Sequence, residues 1–305
     1  MSAPSDTLHT ELLRCPDCGG PLDINDEGIA CTESAARFER TRSGLDLRPS
    51  HVQRRDVPIT IGQRGADISD ISDILVDQLP VGNGLDIGAE EIFDAGLFHG
   101  NRLSPALISH LAVPTGSTVL DLGCGARNVR SLLQPRGIDT VDVDAVGDVP
   151  YLVDAHSLPF RESTFDGIIT LAVLEHVRSP HQFMAEAFRV LKPGPRIVGT
   201  SAFLEVFHMD SHFHTTALGL TAALQDAGFE DLVIAPTPNW DIGAILVDMG
   251  YLPGVRGPAH TAIHAGLTRS HRFLFRRFRR DVGDLDRRMT FAGGFQFVAT
   301  KPTTE

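Results

Sequence analysis

The chain has 305 residues, 42% hydrophobic and 22% charged, with a formal net charge of −12. This composition is typical of a globular protein, and the length allows one large domain or a catalytic domain with a small appendage. The negative net charge argues against a nucleic-acid partner. The sequence has no run of about 18 apolar residues, so we expect no membrane span. The first residues are neither basic nor apolar, so we expect no signal peptide. Four cysteines are too few for a disulfide framework, so we expect reduced thiols and a cytoplasmic protein.

Three regions of the chain differ in their composition and residue pattern. Residues 1–50 hold three of the four cysteines and predict a small ribbon-like module, and residues 51–115 predict a helical lid or linker. Residues 116–305 alternate short apolar runs with helical patterns, which is typical of an α/β fold with a doubly wound, mostly parallel sheet. Residues 239–290 interrupt this alternation and predict a helical insertion before the last strand.

The cysteines of the first region are spaced as in a zinc knuckle. The candidate metal ligands are Cys15, Cys18 and Cys31. A tight Cys-x2-Cys turn supplies two of the four ligands that tetrahedral Zn²⁺ requires, but the position expected for the fourth thiolate is Ser34. Either Glu33 or His51 replaces it, or the ribbon folds without metal. The module resembles the small zinc-ribbon proteins that activate tRNA and protein methyltransferases, and the finger of large-subunit rRNA guanine methyltransferases.

The apolar runs of the third region predict the strands of the sheet. We place them at Thr118–Leu122, Thr140–Asp144, Gly167–Leu171, Arg196–Ser201, Leu232–Ala235 and Phe295–Thr300. The clearest helices between them are His181–Val190 and Thr216–Ala227. The second is followed by Gly228, a common helix stop.

The segment Val119–Gly125 is the most informative part of the chain. It predicts a buried strand that runs into a turn built on Gly123 and Gly125 and then into a helix. Such a turn lets a ligand lie against bare backbone, and the helix N-terminus offers free N–H groups to an anion. The nicotinamide fingerprint needs a third glycine where this chain has Asn128.

Further segments follow this turn in a recognisable order. They are Val141–Asp144, Val153–Phe160, Phe165–Ile169, Leu174–Val177 and Arg189–Gly194. Together with the glycine turn they resemble the class I S-adenosylmethionine (SAM)-dependent methyltransferases, and most of all the broad group that methylates quinone precursors and secondary metabolites. The resemblance implies a seven-stranded Rossmann-like sheet and SAM as the cofactor.

The resemblance also implies roles for individual residues. Asp144 would accept hydrogen bonds from both ribose hydroxyls of SAM, because a carboxylate can accept two at once. Asp154 would accept from the adenine amino group, and the Ala155 backbone N–H would reach the ring. The full implied set of cofactor residues is Asp121, Gly123, Gly125, Arg127, Asp144, Asp154, Ala155, His156 and Leu171.

Two features depart from the family's pattern. Arg127 stands where many relatives have glycine, and its side chain either crowds the turn or pairs with the methionine carboxylate of SAM. The stretch between Asp144 and Asp154 has room for little more than a turn where most relatives carry a full helix. We therefore expect one wall of the adenine pocket to be more open than usual.

Four histidines are candidates for catalysis: His176, His208, His212 and His214. Methyl transfer from a sulfonium is an in-line displacement, and a base is needed only when the nucleophile must lose a proton. The resemblance places His176 near the transferred methyl, as a base or a substrate orienter; the alternative is a structural hydrogen-bonder. The other three follow the predicted strand Arg196–Ser201. There they contact substrate, bind a metal together with Asp210, or simply order the loop.

A basic, aromatic stretch spans Arg269–Arg280. Leu274 and Phe278 share a helix face, so the pattern favours an amphipathic cover helix with solvated arginines. The alternative is contact with a membrane surface or an anionic substrate.

We therefore predict a SAM-dependent methyltransferase that acts on O, N or C of a small or medium organic molecule. One alternative is an RNA methyltransferase guided by the cysteine module, against which the net charge argues. Another is a non-catalytic SAM-binding subunit that uses its ribbon to hold a partner. The sequence makes no prediction of the oligomeric state.

Overall fold

The computed structural model describes residues 8–25, 28–49, 105–125, 128–205, 211–237, 240–248, 258–281 and 283–303. The predictions made for Arg127 and His208, and most of the predicted lid at 51–115, lie outside these described residues.

One mixed sheet runs through the described part of the chain. Its strands are β1 (Leu22–Asn25), β2 (Gly28–Cys31), β3 (Arg37–Arg40), β4 (Leu45–Asp46), β5 (Thr118–Leu122), β6 (Asp139–Asp144), β7 (Tyr151–Leu152), β8 (Gly167–Leu171), β9 (Arg196–Ala202), β10 (Glu230–Pro236) and β11 (Gly294–Thr300). Their order across the sheet is β1-β2-β3-β4-β7-β6-β5-β8-β9-β11-β10.

The seven strands from β7 to β10 form the predicted Rossmann-like sheet. Strands β7, β6, β5, β8 and β9 are parallel to one another, whereas β11 runs antiparallel to both β9 and β10. The central strands are buried on both faces, since Leu120, Ile168 and Ile169 are fully covered. The predicted fold class is confirmed, and the predicted strand bounds differ from the observed ones by at most two residues.

Helices cover both faces of this sheet. They are α1 (Pro105–Leu111), α2 (Asn128–Leu133), α3 (Pro180–Val190), α4 (Ala217–Ala227), α5 (Ile242–Asp248), α6 (Pro258–Phe278) and α7 (Asp284–Thr290). Apolar residues of α1 and α2 pack into the cluster on one face, and those of α3 and α4 pack into the cluster on the other. The sheet is therefore doubly wound.

The two predicted core helices have clear start and stop signals. Ser179 caps α3 by accepting a hydrogen bond from the Gln182 N–H, and Thr216 caps α4 through the Gly219 N–H. Gly228 ends α4 in the left-handed region at φ +100°. Both helices are confirmed within one residue of their predicted bounds.

The N-terminal strands continue the central sheet. Leu45 and Asp46 of β4 pair in parallel with Tyr151 and Leu152 of β7. The two segments of the chain approach closely at Gly44, where an added Cβ would lie 1.7 Å from the Pro150 carbonyl oxygen. The cysteine-bearing strands therefore share one apolar core with the α/β region, and the predicted domain boundaries at residues 50 and 115 stay predictions.

Helices α5, α6 and α7 follow β10 and precede β11 along the chain. Arg272 and Arg276 of α6 approach the Asp284 carboxylate at 3.9 and 3.8 Å, so part of the basic stretch is paired within the chain. Phe273 and Phe278 remain 67% and 71% exposed. None of the helices among the described residues has both the length and the hydrophobicity needed to cross a bilayer.

Candidate cofactor and substrate site

The predicted glycine turn lies where β5 ends, next to the end of β6. The amides of Gly123 and Cys124 both donate to the Val143 carbonyl at 3.0 Å. Gly123 and Gly125 have φ values of +82° and +49°, in the left-handed region that favours glycine. A Cβ added at Gly125 would meet open space, so the backbone there is accessible to a ligand.

Asp144 is tied to this turn by its carboxylate. Its Oδ2 accepts a hydrogen bond of 2.9 Å from the Gly125 N–H, and its Oδ1 accepts from the amides of Ala145 and Val146. A carboxylate offers about four lone-pair positions, so acceptor capacity remains for a ribose. The arrangement fits the role that the sequence predicts for Asp144. Asp121, in the predicted cofactor set, is buried within β5.

The chain between Asp144 and Asp154 contains the two-residue strand β7 but no helix. Residues 145–148 are bends, and Ala145, Val146, Gly147 and Asp148 are exposed. The predicted absence of a full helix in this stretch is confirmed.

A second turn, after β8, touches the glycine turn. Leu171 ends β8 half-buried, and Ala172 takes a left-handed φ of +54°, which is uncommon for a residue with a Cβ. The Val173 side chain occupies the space beside Gly123, since an added Cβ there would lie 2.3 Å from Val173 Cγ2. Val173 has no signal in the sequence, because a contact between two loops that are far apart along the chain leaves no local pattern.

The predicted adenine loop is closed by hydrogen bonds among its own residues. Asp154 Oδ1 accepts from the His156 N–H at 2.9 Å and lies 2.6 Å from His156 Nδ1. His156 Nε2 accepts from the Ser179 N–H at 3.1 Å. An acceptor role for Nε2 requires the proton to be on Nδ1, which then donates to Asp154. His156 therefore links the loop to the start of α3, and the Ser-Pro cap of α3 was the sequence signal that could have revealed this.

The Asp154 carboxyl has a lowered pKa. Its burial works in the opposite direction, but the hydrogen bonds from His156 and the charge of Arg178 outweigh it. Asp154 Oδ2 lies 3.7 Å from an Arg178 nitrogen. The carboxyl is therefore held in its charged form, just after β7, at the same end of the parallel strands as the glycine turn.

The structure brings two of the predicted histidine regions together. His176 ends a 3-10 turn, Leu174–His176, just after β8, and is half-buried. The amides of His212 and Phe213 donate to the Glu175 carbonyl, so the loop after β9 lies against this turn. His212 is exposed and His214 half-buried. Among the described residues neither joins a group close enough to share a metal ion.

The three cysteines of the ribbon do form such a group. The Sγ atoms of Cys15, Cys18 and Cys31 all lie within 4.8 Å of one another. Ser34 Oγ lies 3.9 Å from Cys15 Sγ, and the Glu33 carboxylate lies instead against Gly20. A hydrogen bond with Ser34 is the largest of the effects that lower the pKa of the Cys31 thiol to about 7. Cys124, the fourth cysteine, is buried in the glycine turn.

Comparison with known proteins matches residues 120–199 to a family model described as a methyltransferase domain. An O-methyltransferase of Penicillium expansum, cnsE, is 27% identical over 186 residues, covering 54% of this chain and 64% of that protein. A demethylmenaquinone methyltransferase of Renibacterium salmoninarum is 33% identical over 99 residues, covering 28% of this chain and 41% of that protein.

A solved structure of phosphoethanolamine N-methyltransferase 2 from Haemonchus contortus, in complex with phosphomonomethylethanolamine and S-adenosylhomocysteine, is also similar. It aligns with 65% of this chain and 52% of its own, at 17% identity and a TM-score of 0.44. This chain spans less than two thirds of the length of each of these proteins.

Proposed function

We propose that this chain, whose core is a class I SAM-dependent methyltransferase domain, transfers a methyl group from SAM to O, N or C of a small or medium organic molecule. One observation supports this most: the accessible glycine turn after β5 is tied through the Gly125 amide to the carboxylate that ends β6. Backbone for the methionine half of SAM and an acceptor for its ribose thus lie side by side.

Bound SAM supplies an electrophilic methyl group on a sulfonium. The residues of this chain would then hold SAM and align the acceptor atom. Asp144 accepts from the ribose hydroxyls, and the Asp154–His156 loop, with the Ala155 amide, faces the adenine. Asp154 can accept from the adenine amino group because a carboxyl is ionised near neutral pH, and its lowered pKa favours the ionised form further.

The acceptor molecule would bind between the turn after β8 and the loop after β9. His176 lies in the first, and His212 and His214 lie in the second, and the two segments are in contact through the Glu175 carbonyl. Methylation of an alcohol, phenol or ammonium needs a base, and we assign that task to His176. His212 and His214 would contact the substrate at the rim.

The substrate is a small molecule under this proposal. The relatives include proteins named as an O-methyltransferase and a demethylmenaquinone methyltransferase. The chain's net charge of −12 argues against RNA as the acceptor. The proposal includes a cytoplasmic location, where the ribbon thiols would stay reduced.

Calorimetric titration with S-adenosylhomocysteine (SAH) tests the cofactor site, and transfer of a labelled methyl group from SAM to a panel of phenols, quinols, amines and enols tests the activity. We expect saturable SAH binding at one site per chain and transfer to at least one class of acceptor. Binding without transfer to any class, and with a second methyltransferase subunit co-purifying, would favour the non-catalytic alternative. Absence of binding would refute the proposal.

A further inference from the structure

The three ribbon thiols have the spacing of a preformed tetrahedral metal site. Thiolates bound to one Zn²⁺ at about 2.3 Å are separated from each other by about 3.8 Å. Cys18 Sγ and Cys31 Sγ lie 3.5 Å apart, and all three sulfur atoms fall within 4.8 Å. Cys15 and Cys31 are buried while Cys18 is exposed, which leaves an entry path from solvent.

The fourth corner of this site faces Ser34. Its Oγ lies 3.9 Å from Cys15 Sγ and accepts a hydrogen bond from the Ala36 N–H, which fixes its orientation. The Glu33 amide donates to Cys31 Sγ at 3.4 Å, the kind of interaction that stabilises a thiolate. An oxygen ligand at Ser34, from the hydroxyl or a water that it holds, would complete four-coordination.

The knuckle that carries two of these thiols is bonded directly to the adenine loop. The Pro16 carbonyl, between Cys15 and Cys18, accepts a hydrogen bond of 2.7 Å from Ser157 Oγ. The Arg14 amide donates to the Pro159 carbonyl at 3.0 Å. The Ser157 amide in turn donates to the Asp154 carbonyl at 2.9 Å. The Asp154–Pro159 loop is thus hydrogen-bonded to the segment that carries Cys15 and Cys18.

We propose that Cys15, Cys18 and Cys31 bind one Zn²⁺, and that the bound metal fixes the Asp154–Pro159 loop and thereby raises the affinity for the cofactor. The coupling half of this inference rests on the proposed function. On binding, the thiols release their protons to solvent and the ion becomes the cross-link between the Cys15–Cys18 knuckle and β2. Without the ion, sulfur contacts such as that of 3.5 Å between Cys18 and Cys31 stand in place of the metal bonds, and the loop loses part of its support.

The first experiment compares the zinc-loaded full chain with the same chain after chelation. We expect one zinc per chain, and an SAH affinity that falls by about 10-fold on chelation, as when a supporting contact of a site is lost, and returns on adding Zn²⁺. Hydrogen exchange of the peptide spanning residues 154–159 provides a second readout that needs no cofactor. We expect its protection to fall and recover with the metal.

Two variants separate metal binding from the coupling. Cys18→Ala removes the exposed ligand and should lose the zinc and about 10-fold in SAH affinity. Ser157→Ala breaks the bond to Pro16 but touches no ligand and leaves the Arg14–Pro159 bond in place. It should keep one zinc per chain while its SAH affinity and loop exchange respond less to the metal than in the wild type. Ser270→Ala, at an exposed position on α6, is the matched control and should behave as the wild type.

Each other outcome is informative. A wild-type chain that binds SAH but holds no zinc would overturn the metal site. Stoichiometric zinc with unchanged SAH affinity and unchanged loop exchange would overturn the coupling. If no form binds SAH, the proposed function fails, and the zinc content together with the loop exchange still decides this inference on its own.

Discussion

Gly123 and Val173 occupy one shared space between the turns after β5 and β8. The Val173 methyl groups lie where a side chain at Gly123 would have to go, at 2.3 and 2.9 Å from the Cβ position. We expect Gly123→Ala to weaken SAH binding by more than about 10-fold, because the added methyl group displaces one turn or the other from the cofactor. Calorimetry on the purified variant measures this.

A control for Gly123→Ala separates the contact from backbone strain. Gly116 has a similar φ of +87° but nothing within 4 Å of its Cβ position. Gly116→Ala should therefore lose only about 1–2 kcal/mol of stability through strain, with SAH affinity retained. Adding Val173→Ala to Gly123→Ala should recover part of the lost affinity. Equal losses of affinity in the two glycine variants would contradict the contact.

Asp144 should be the strongest single contributor to cofactor affinity. Asp144→Asn keeps one oxygen for the Gly125 amide but replaces the other acceptor with a donor, so we expect SAH binding to weaken by about 10–100-fold. Asp148→Asn, at an exposed site four residues further on, is the matched control and should leave the affinity unchanged. An Asp144→Asn variant with wild-type affinity would remove Asp144 from the ribose site.

His176→Ala should lower turnover more than it lowers SAM affinity. A base acts on the acceptor and not on SAM, so its loss slows the transfer step and leaves the cofactor site intact. His181→Ala, at a histidine on α3 that is mostly exposed, is the matched control. Equal losses in turnover and in SAM affinity would instead make His176 a structural residue.

Asp154 should make the stability of the adenine loop depend on acid. Its pKa in the folded chain is lowered from the ordinary value of 3.8, so its ionised form contributes stability that is present above pH 3.8 and lost as the pH falls through the lower folded value. Urea unfolding of the wild type and Asp154→Asn should therefore differ at pH 6, and the difference should shrink from pH 3.8 downward and vanish below the lower folded value. A gap that stays constant with pH would show that the carboxylate charge is not the source of the stability.

Most of the sheet was predictable from the sequence, because long strands buried on both faces show as apolar runs. Thr118–Leu122 and Gly167–Leu171 match their predicted bounds. The short strands Leu45–Asp46 and Tyr151–Leu152 were not predicted, since two residues carry no periodicity and their pairing depends on the close approach at Gly44. This is why the continuity of the ribbon with the sheet was missed.

The individual motifs of the candidate site were predictable from the sequence, but the hydrogen bonds that join them were not. The glycine turn, Asp144 and the Asp154 loop each have a local signature. His156 hydrogen-bonds to Asp154 through one ring nitrogen and to the Ser179 amide through the other. This pairing depends on where α3 begins relative to the loop, which the sequence does not specify. Likewise, the hydrogen bond from Ser157 to Pro16 joins residues that are 141 positions apart.

The attachment of the N-terminal strands also constrains how the chain is made. The His9 amide donates to the Tyr151 hydroxyl, across 142 positions. During synthesis, residues 8–47 therefore leave the ribosome long before β7 is made, and the apolar side chains that pack against it stay exposed until then. Such non-local pairing is slow and leaves apolar surface open to aggregation. Because this pairing is non-local, we expect the docking of β4 beside β7 to be a slow step, measurable as a slow phase in refolding.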